Sequence, residues 1–167
     1  MTTFELDYLY NIFCLSKFIH KFIINEDIER VWEFYTDIRH LEIITPKKLN
    51  LKIINTTNQK IILGQETIIS AKIIIMKRTW HSKITFFQQY EYIDEMLEGP
   101  FIKWKHVHKF SRISNNKTEI IDEVELVLPY GVFGKVMSIY VMKILRQLFE
   151  HRKDETIKYF NQMKLNH

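Results

Sequence analysis

The stretch Phe101-Ile-Lys-Trp-Lys-His-Val-His-Lys-Phe110 constrains this chain more than any other. Successive side chains of a β-strand point to opposite faces. Read as a strand, it places Ile102, Trp104, His106, His108 and Phe110 on one face and Lys103, Lys105 and Lys109 on the other. Lysine ammonium groups stay in water, so the Trp/His face points inward. Asn115-Asn116 supplies a turn. Residues 118–128 then repeat the alternation, with Ile120, Asp122, Val124, Leu126 and Leu128 set against Glu119, Glu123 and Glu125. A β-hairpin over 101–128 follows, with Asp122 opposite or diagonal to His108.

The remaining segments extend this into a domain. Residues 17–25 are rich in β-branched and aromatic side chains and read as a first core strand. Asn25 or Asp27 then caps a helix carrying Ile28, Val31, Trp32 and Tyr35 at helical spacing. A second short helix over about residues 38–43 stops before Pro46. Strands are expected over 49–54, 60–63, 66–76, 80–87 and 90–97, with Gly64 as a bulge or kink and Glu98-Gly99-Pro100 as a turn. After Pro129-Tyr130-Gly131 the period changes to 3.6. Phe133, Met137, Tyr140, Ile144 and Leu148 form an apolar stripe expected to face the sheet, with Lys135, Lys143, Arg146 and Arg152 around it, in a helix reaching about Gln162. Residues 1–16 read as an N-terminal extension that fits either strand or helix, and 17–167 as one domain. Antiparallel strands with helices gathered on one side make an α+β fold.

Composition excludes several classes. At 167 residues and 46% hydrophobic content the chain can bury a core without staples. A single cysteine, Cys14, rules out a disulfide framework and fits a reducing cytoplasm. The apolar run from Tyr8 to Ile24 is broken by Lys17, His20 and Lys21, so stable membrane insertion is not expected. A net charge of +4 is spread among acidic residues rather than gathered on a stripe, which argues against nucleic acid. Tyr130-Gly-Val-Phe-Gly-Lys135 lacks the spacing and following Ser/Thr of a phosphate loop, and reads instead as a loop allowing close packing or a hinge. No cofactor is expected.

Several motifs carry a resemblance. Val31-Trp32-Glu33-Phe34 with Asp37 and Leu41, then Ile44-Thr45-Pro46, resembles a "VWxF…D…L…hTP" helix pair. Trp80 with Ile84 is similar to a tryptophan-marked strand. Tyr92-Ile93-Asp94 followed by Gly99-Pro100-Phe101 through Phe110 resembles "FxD…GPFxxWxHxHxF". Thr118, Asp122, Val124, Leu128-Pro129-Tyr130-Gly131 and Gly134 resemble "T…DxV…LPxG…G", and Leu148 to Arg152 resembles "LFxxR". By these motifs, over about residues 17–163, the chain resembles the START-like (helix-grip, SRPBCC) superfamily in its polyketide cyclase/dehydrase-like branch. Met96 departs from that pattern, which often has glutamine there. The resemblance implies a helix-grip fold: a curved seven-stranded antiparallel sheet wrapped around a long C-terminal helix, with two short helices after the first strand. It also implies a cavity between sheet and helix for lipids, polyketides or other apolar molecules, and it leaves open carriers, cyclases and regulators.

The residues themselves offer the cavity a mixed lining. The expected ligand-binding set is Trp80, Phe86, Tyr92, Trp104, His106, His108, Phe110, Asp122, Met137 and Tyr140, with Gln88 as a further polar member. Ligand pockets are mostly apolar with a few placed polar groups. His106, His108 and Asp122 allow a ligand-orienting or structural cluster, or a general acid/base with Asp122 holding the imidazole. A two-histidine, one-carboxylate metal site requires the three to converge; none is expected. The leading reading is a carrier or sensor for a small hydrophobic ligand. The alternatives are a cyclase/dehydrase-type enzyme using the His/Asp pair, and a protein-partner module with a filled cavity.

Overall fold

The computed structural model describes residues 15–73, 76–129 and 131–165, without the side chains of 73 and 131–136. Most of the expected N-terminal extension, Cys14 included, lies outside the described residues. Among the described residues, seven strands form one sheet: β1 (Leu15–Ile24), β2 (Lys52–Thr56), β3 (Glu66–Ile73), β4 (Met76–Gln88), β5 (Glu91–Glu98), β6 (Lys103–Ser114) and β7 (Lys117–Val127). Their order across the sheet is β1-β7-β6-β5-β4-β3-β2, with every neighbouring pair antiparallel. Strands β2 to β7 are thus a meander, and β1 returns to the far edge beside β7. Two short helices, α1 (Ile28–Tyr35) and α2 (His40–Ile43), and a 3-10 turn (Lys47–Leu49) carry the chain between the two edges. A long helix, α3 (Gly131–Leu165), follows β7. This is the α+β helix-grip architecture that the sequence motifs imply.

Local chemistry explains the helix starts and stops. The Asp27 carboxylate accepts the Glu29 N–H at 2.8 Å and caps α1. Ile28, Val31 and Phe34 bury one face of it. The Thr36 hydroxyl donates to the Trp32 carbonyl and closes the last turn. His40 Nδ1 donates to the Phe34 carbonyl at 2.7 Å while its ring stacks on Phe34, which ties α2 back onto α1.

Three expectations are corrected. Residues 60–63 make a single bridge, Lys60 with Asp37, rather than a strand. Gly131 and Gly134 lie within α3, so they form neither loop nor hinge. The apolar stripe of α3 has the right period but the wrong phase. Met137 and Tyr140 are 45% and 49% exposed, whereas Leu145, Phe149, Thr156 and Phe160 are buried. One residue along a helix rotates the side chain by about 100°. The inner row is therefore shifted by one position, and it contains polar Arg152 and Thr156 that hydrophobicity alone cannot reveal.

Candidate functional site

The site is built from rows of side chains that cross the sheet on its inner face. One row runs His20, Asp122, His108, Tyr92 across β1, β7, β6 and β5. The next runs Phe18, Val124, His106, Asp94, Ile84. Asp122 thus sits directly opposite His108, because the two-residue turn Asn115-Asn116 and an extra residue at Ile113 set the hairpin register. Gly99 admits the close approach of Trp80 and Met96, where any Cβ would collide.

Between these rows and α3 lies a cavity of about 110 Å³. Apolar walls come from Ile69, Ile84, Trp80, Trp104 and Phe149; Tyr35, Tyr92, Asp94, His106, His108, Asp122 and Arg152 add polar atoms. Of the expected set, Trp80, Tyr92, Trp104, His106, His108 and Asp122 line it. Phe110 does not: it is buried against Trp32 and Tyr35. Phe86 is 38% exposed on the outer face, because a bulge between Ile84 and Phe86 reverses the alternation and turns Phe87 inward against Trp32. Gln88 is also exposed and hydrogen-bonds Glu91. Met137 and Tyr140 are off the cavity for the phase reason given above.

Asp94 and Arg152 are among the cavity residues outside the expected set. Asp94 shares the parity of Tyr92 on β5, so an inward Tyr92 already placed it. Arg152 follows Phe149 by three residues, one helical turn along the same face. Its charge made it look like part of the solvated flank.

The polar cluster is tightly coupled. His106 Nε2 lies 2.9 Å from Asp122 Oδ1 in a buried hydrogen bond, and His108 Nδ1 lies 3.0 Å from the same oxygen without hydrogen-bond alignment. The imidazoles are in contact, with ring centres 3.6 Å apart, and Tyr92 stacks on His108 at 4.2 Å. Burial pushes the Asp122 carboxyl up, but His106 and His108 outweigh it and hold the group well below the usual carboxylate range. Burial, and then the neighbouring His108, press His106 down to about 3. The pair is therefore a neutral imidazole donating Nε2–H to an ionised carboxylate. Burial raises the Asp94 carboxyl, and raises the hydroxyls of Tyr35 and Tyr92. Tyr92 donates to the Tyr35 carbonyl, and Tyr35 exchanges a 3.1 Å hydrogen bond with Thr156, which ties α1 to α3 across the cavity wall.

The ligand atoms of His106, His108 and Asp122 all lie within 4.8 Å of one another, so the convergence a metal would need is present. The same closeness is accounted for by the His106–Asp122 hydrogen bond.

Known structures share this arrangement of elements. A START superfamily protein from Mycobacterium smegmatis superposes with a TM-score of 0.68 at 10% identity, covering 88% of this chain and 98% of that one. The chain has the START-like fold. The Zhui aromatase/cyclase from Streptomyces sp. R1128 superposes on this START-like chain with a TM-score of 0.63 at 14% identity, over 86% and 90% of the two chains. Norcoclaurine synthase from Thalictrum flavum, solved with dopamine and hydroxybenzaldehyde, gives 0.66 at 11% identity, over 92% and 91%. No protein-family model and no curated protein matches the chain. Among the described residues, no helix is long and apolar enough to cross a membrane.

Proposed function

We propose that this START-like domain binds a small hydrophobic ligand in the cavity between sheet and α3, as a cytoplasmic carrier or sensor. The observation that carries this reading is the cavity itself: apolar walls with a few buried polar atoms, the usual make-up of a ligand site. A dry apolar cavity of roughly 150 Å³ holds benzene. A space of about 110 Å³ therefore favours a compact ligand of one ring or a short branched chain, and a lipid or polyketide would have to widen it. Burial of apolar area at about 25 cal/mol per Å² supplies affinity without chemistry.

Native mass spectrometry of protein purified from its own host tests the reading. A co-purifying compact hydrophobic molecule is expected. An empty protein that also fails to take up any small hydrophobic probe overturns it and leaves the protein-partner reading.

The His106–Asp122 pair supports a second reading, a cyclase/dehydrase-type enzyme with a histidine as general base. It predicts that Asp122→Asn abolishes turnover of the identified ligand while leaving its binding intact.

A further inference from the structure

Three buried polar atoms on the cavity wall have no hydrogen-bond partner: His108 Nδ1, Asp94 Oδ1 and Arg152 Nε. Native proteins pair their buried polar atoms, so each such exception asks for an explanation. All three belong to residues that line one cavity, where His108 Nδ1 also lies 3.0 Å from Asp122 Oδ1 without alignment, so an occupant of that cavity can meet them together.

Arg152 defines the chemistry of that partner. It is the one lysine or arginine among the described lining residues. Among the described residues no carboxylate pairs with it and no acceptor takes its Nε–H; its guanidinium lies 5.2 Å over the ring of Phe149. Burial pushes that guanidinium below its ordinary value, while Asp122 and Asp94 act on it only from a distance. Asp122 is already occupied by His106. An arginine carries only donors and matches a carboxylate in plane and spacing. Arg152 is half-buried as a whole with its Nε fully enclosed, and an enclosed donor without an acceptor is unfavourable.

We propose that the ligand of this cavity carries a carboxylate, which Arg152 receives. One carboxylate oxygen takes the Arg152 N–H groups. The other lies toward His108 and toward Asp94, whose carboxyl is shifted upward by burial. The apolar remainder of the ligand sits among Ile69, Ile84, Trp80 and Trp104. This rests on the ligand-binding reading above and deepens it: the ligand class becomes compact aromatic or branched carboxylic acids.

Isothermal titration calorimetry at pH 7 with benzoate, and with benzyl alcohol as the uncharged probe of similar shape, tests the inference. Benzoate is expected to bind at least tenfold more tightly than benzyl alcohol. Arg152→Met should weaken benzoate at least tenfold and leave benzyl alcohol within twofold, and Arg152→Lys should restore part of the difference. Thermal unfolding checks that the variants fold: benzoate should raise the midpoint of the wild type and not that of Arg152→Met. Equal affinity for the two probes, or benzoate binding untouched by Arg152→Met, overturns the carboxylate inference while the hydrophobic cavity stands. Binding of neither probe overturns the cavity reading along with it.

Discussion

The two ends of β6 carry the same kind of inner face and meet different fates. At one end Phe110 is closed into a core with Trp32, Tyr35 and Tyr92, beneath α1. At the other end Trp104, His106 and His108 face open space below α3. The difference comes from what covers them. Helix α1 lays three aromatic side chains, Trp32, Phe34 and Tyr35, over its end of the sheet, with Phe160 of α3 packed on Phe34, and Phe34 and Tyr35 also form the border with the cavity. Over the cavity, α3 presents Phe149 and then Arg152, whose charge cannot fill an apolar gap. Aromatic content alone therefore does not mark a pocket; the covering helix decides which aromatics pack and which line.

The largest effect that breaks this contrast is truncation. Phe110→Ala should cost about 3–5 kcal/mol, the range for large aromatics in closed cores. Trp104→Ala, whose side chain already borders a void, should cost about half as much or less. Equal losses in urea unfolding would mean that the two ends are equally packed.

The middle-sized effect concerns the polar row. Asp122→Ala leaves the buried Nε2–H of His106 without an acceptor, worth about 1–3 kcal/mol at neutral pH. The sign of the pH dependence follows from the depressed His106 value. The native ring stays neutral down to about 3, while the unfolded chain takes up its proton near the ordinary 6.5. The unfolded state binds more protons in that window, so stability falls as pH is lowered from about 6.5 toward 3. Asp122, held low, adds stability that is present above its ordinary 3.8 and is lost only below that value. Asp94, held high, acts in the opposite sense and softens the slope. Nitrogen NMR should find His106 protonated on Nε2 alone throughout this window, and a doubly protonated ring at pH 6 would overturn the assignment.

The smallest effects belong to residues that the alternation and the helix stripe pointed inward. Phe86→Ser and Tyr140→Ser should change stability by no more than about 0.5 kcal/mol and leave probe binding unchanged. A larger loss of binding would return them to the site.

The fold and part of the site were legible because opposite chemistries share one strand. Lysines on the outer face of β6 and glutamates on the outer face of β7 leave no doubt about where Trp104, His106, His108 and Asp122 point. Phe86 was not legible because a bulge, one extra residue with no compositional mark, inverted its side. Met137 and Tyr140 failed for a related reason. Two adjacent stripes on α3 are both apolar, and the buried one is interrupted by Arg152 and Thr156. A functional charge inside a hydrophobic stripe looks, by pattern alone, like the edge of the stripe.

The return of β1 to the far edge also governs how the wall is assembled. The strands from β2 to β7 pair with sequence neighbours, so each hairpin closes a short loop. The pairing of Leu15 with Val127 through Ile24 with Thr118 joins segments about a hundred residues apart, and loop-closure entropy rises with that separation. The strand carrying His20 and Phe18 is thus expected to dock after the meander has formed. Until it docks, Asp122 and Val124 stand on an unpaired sheet edge, and the inner-face row through Asp122, His108 and Tyr92 lacks its fourth member, His20.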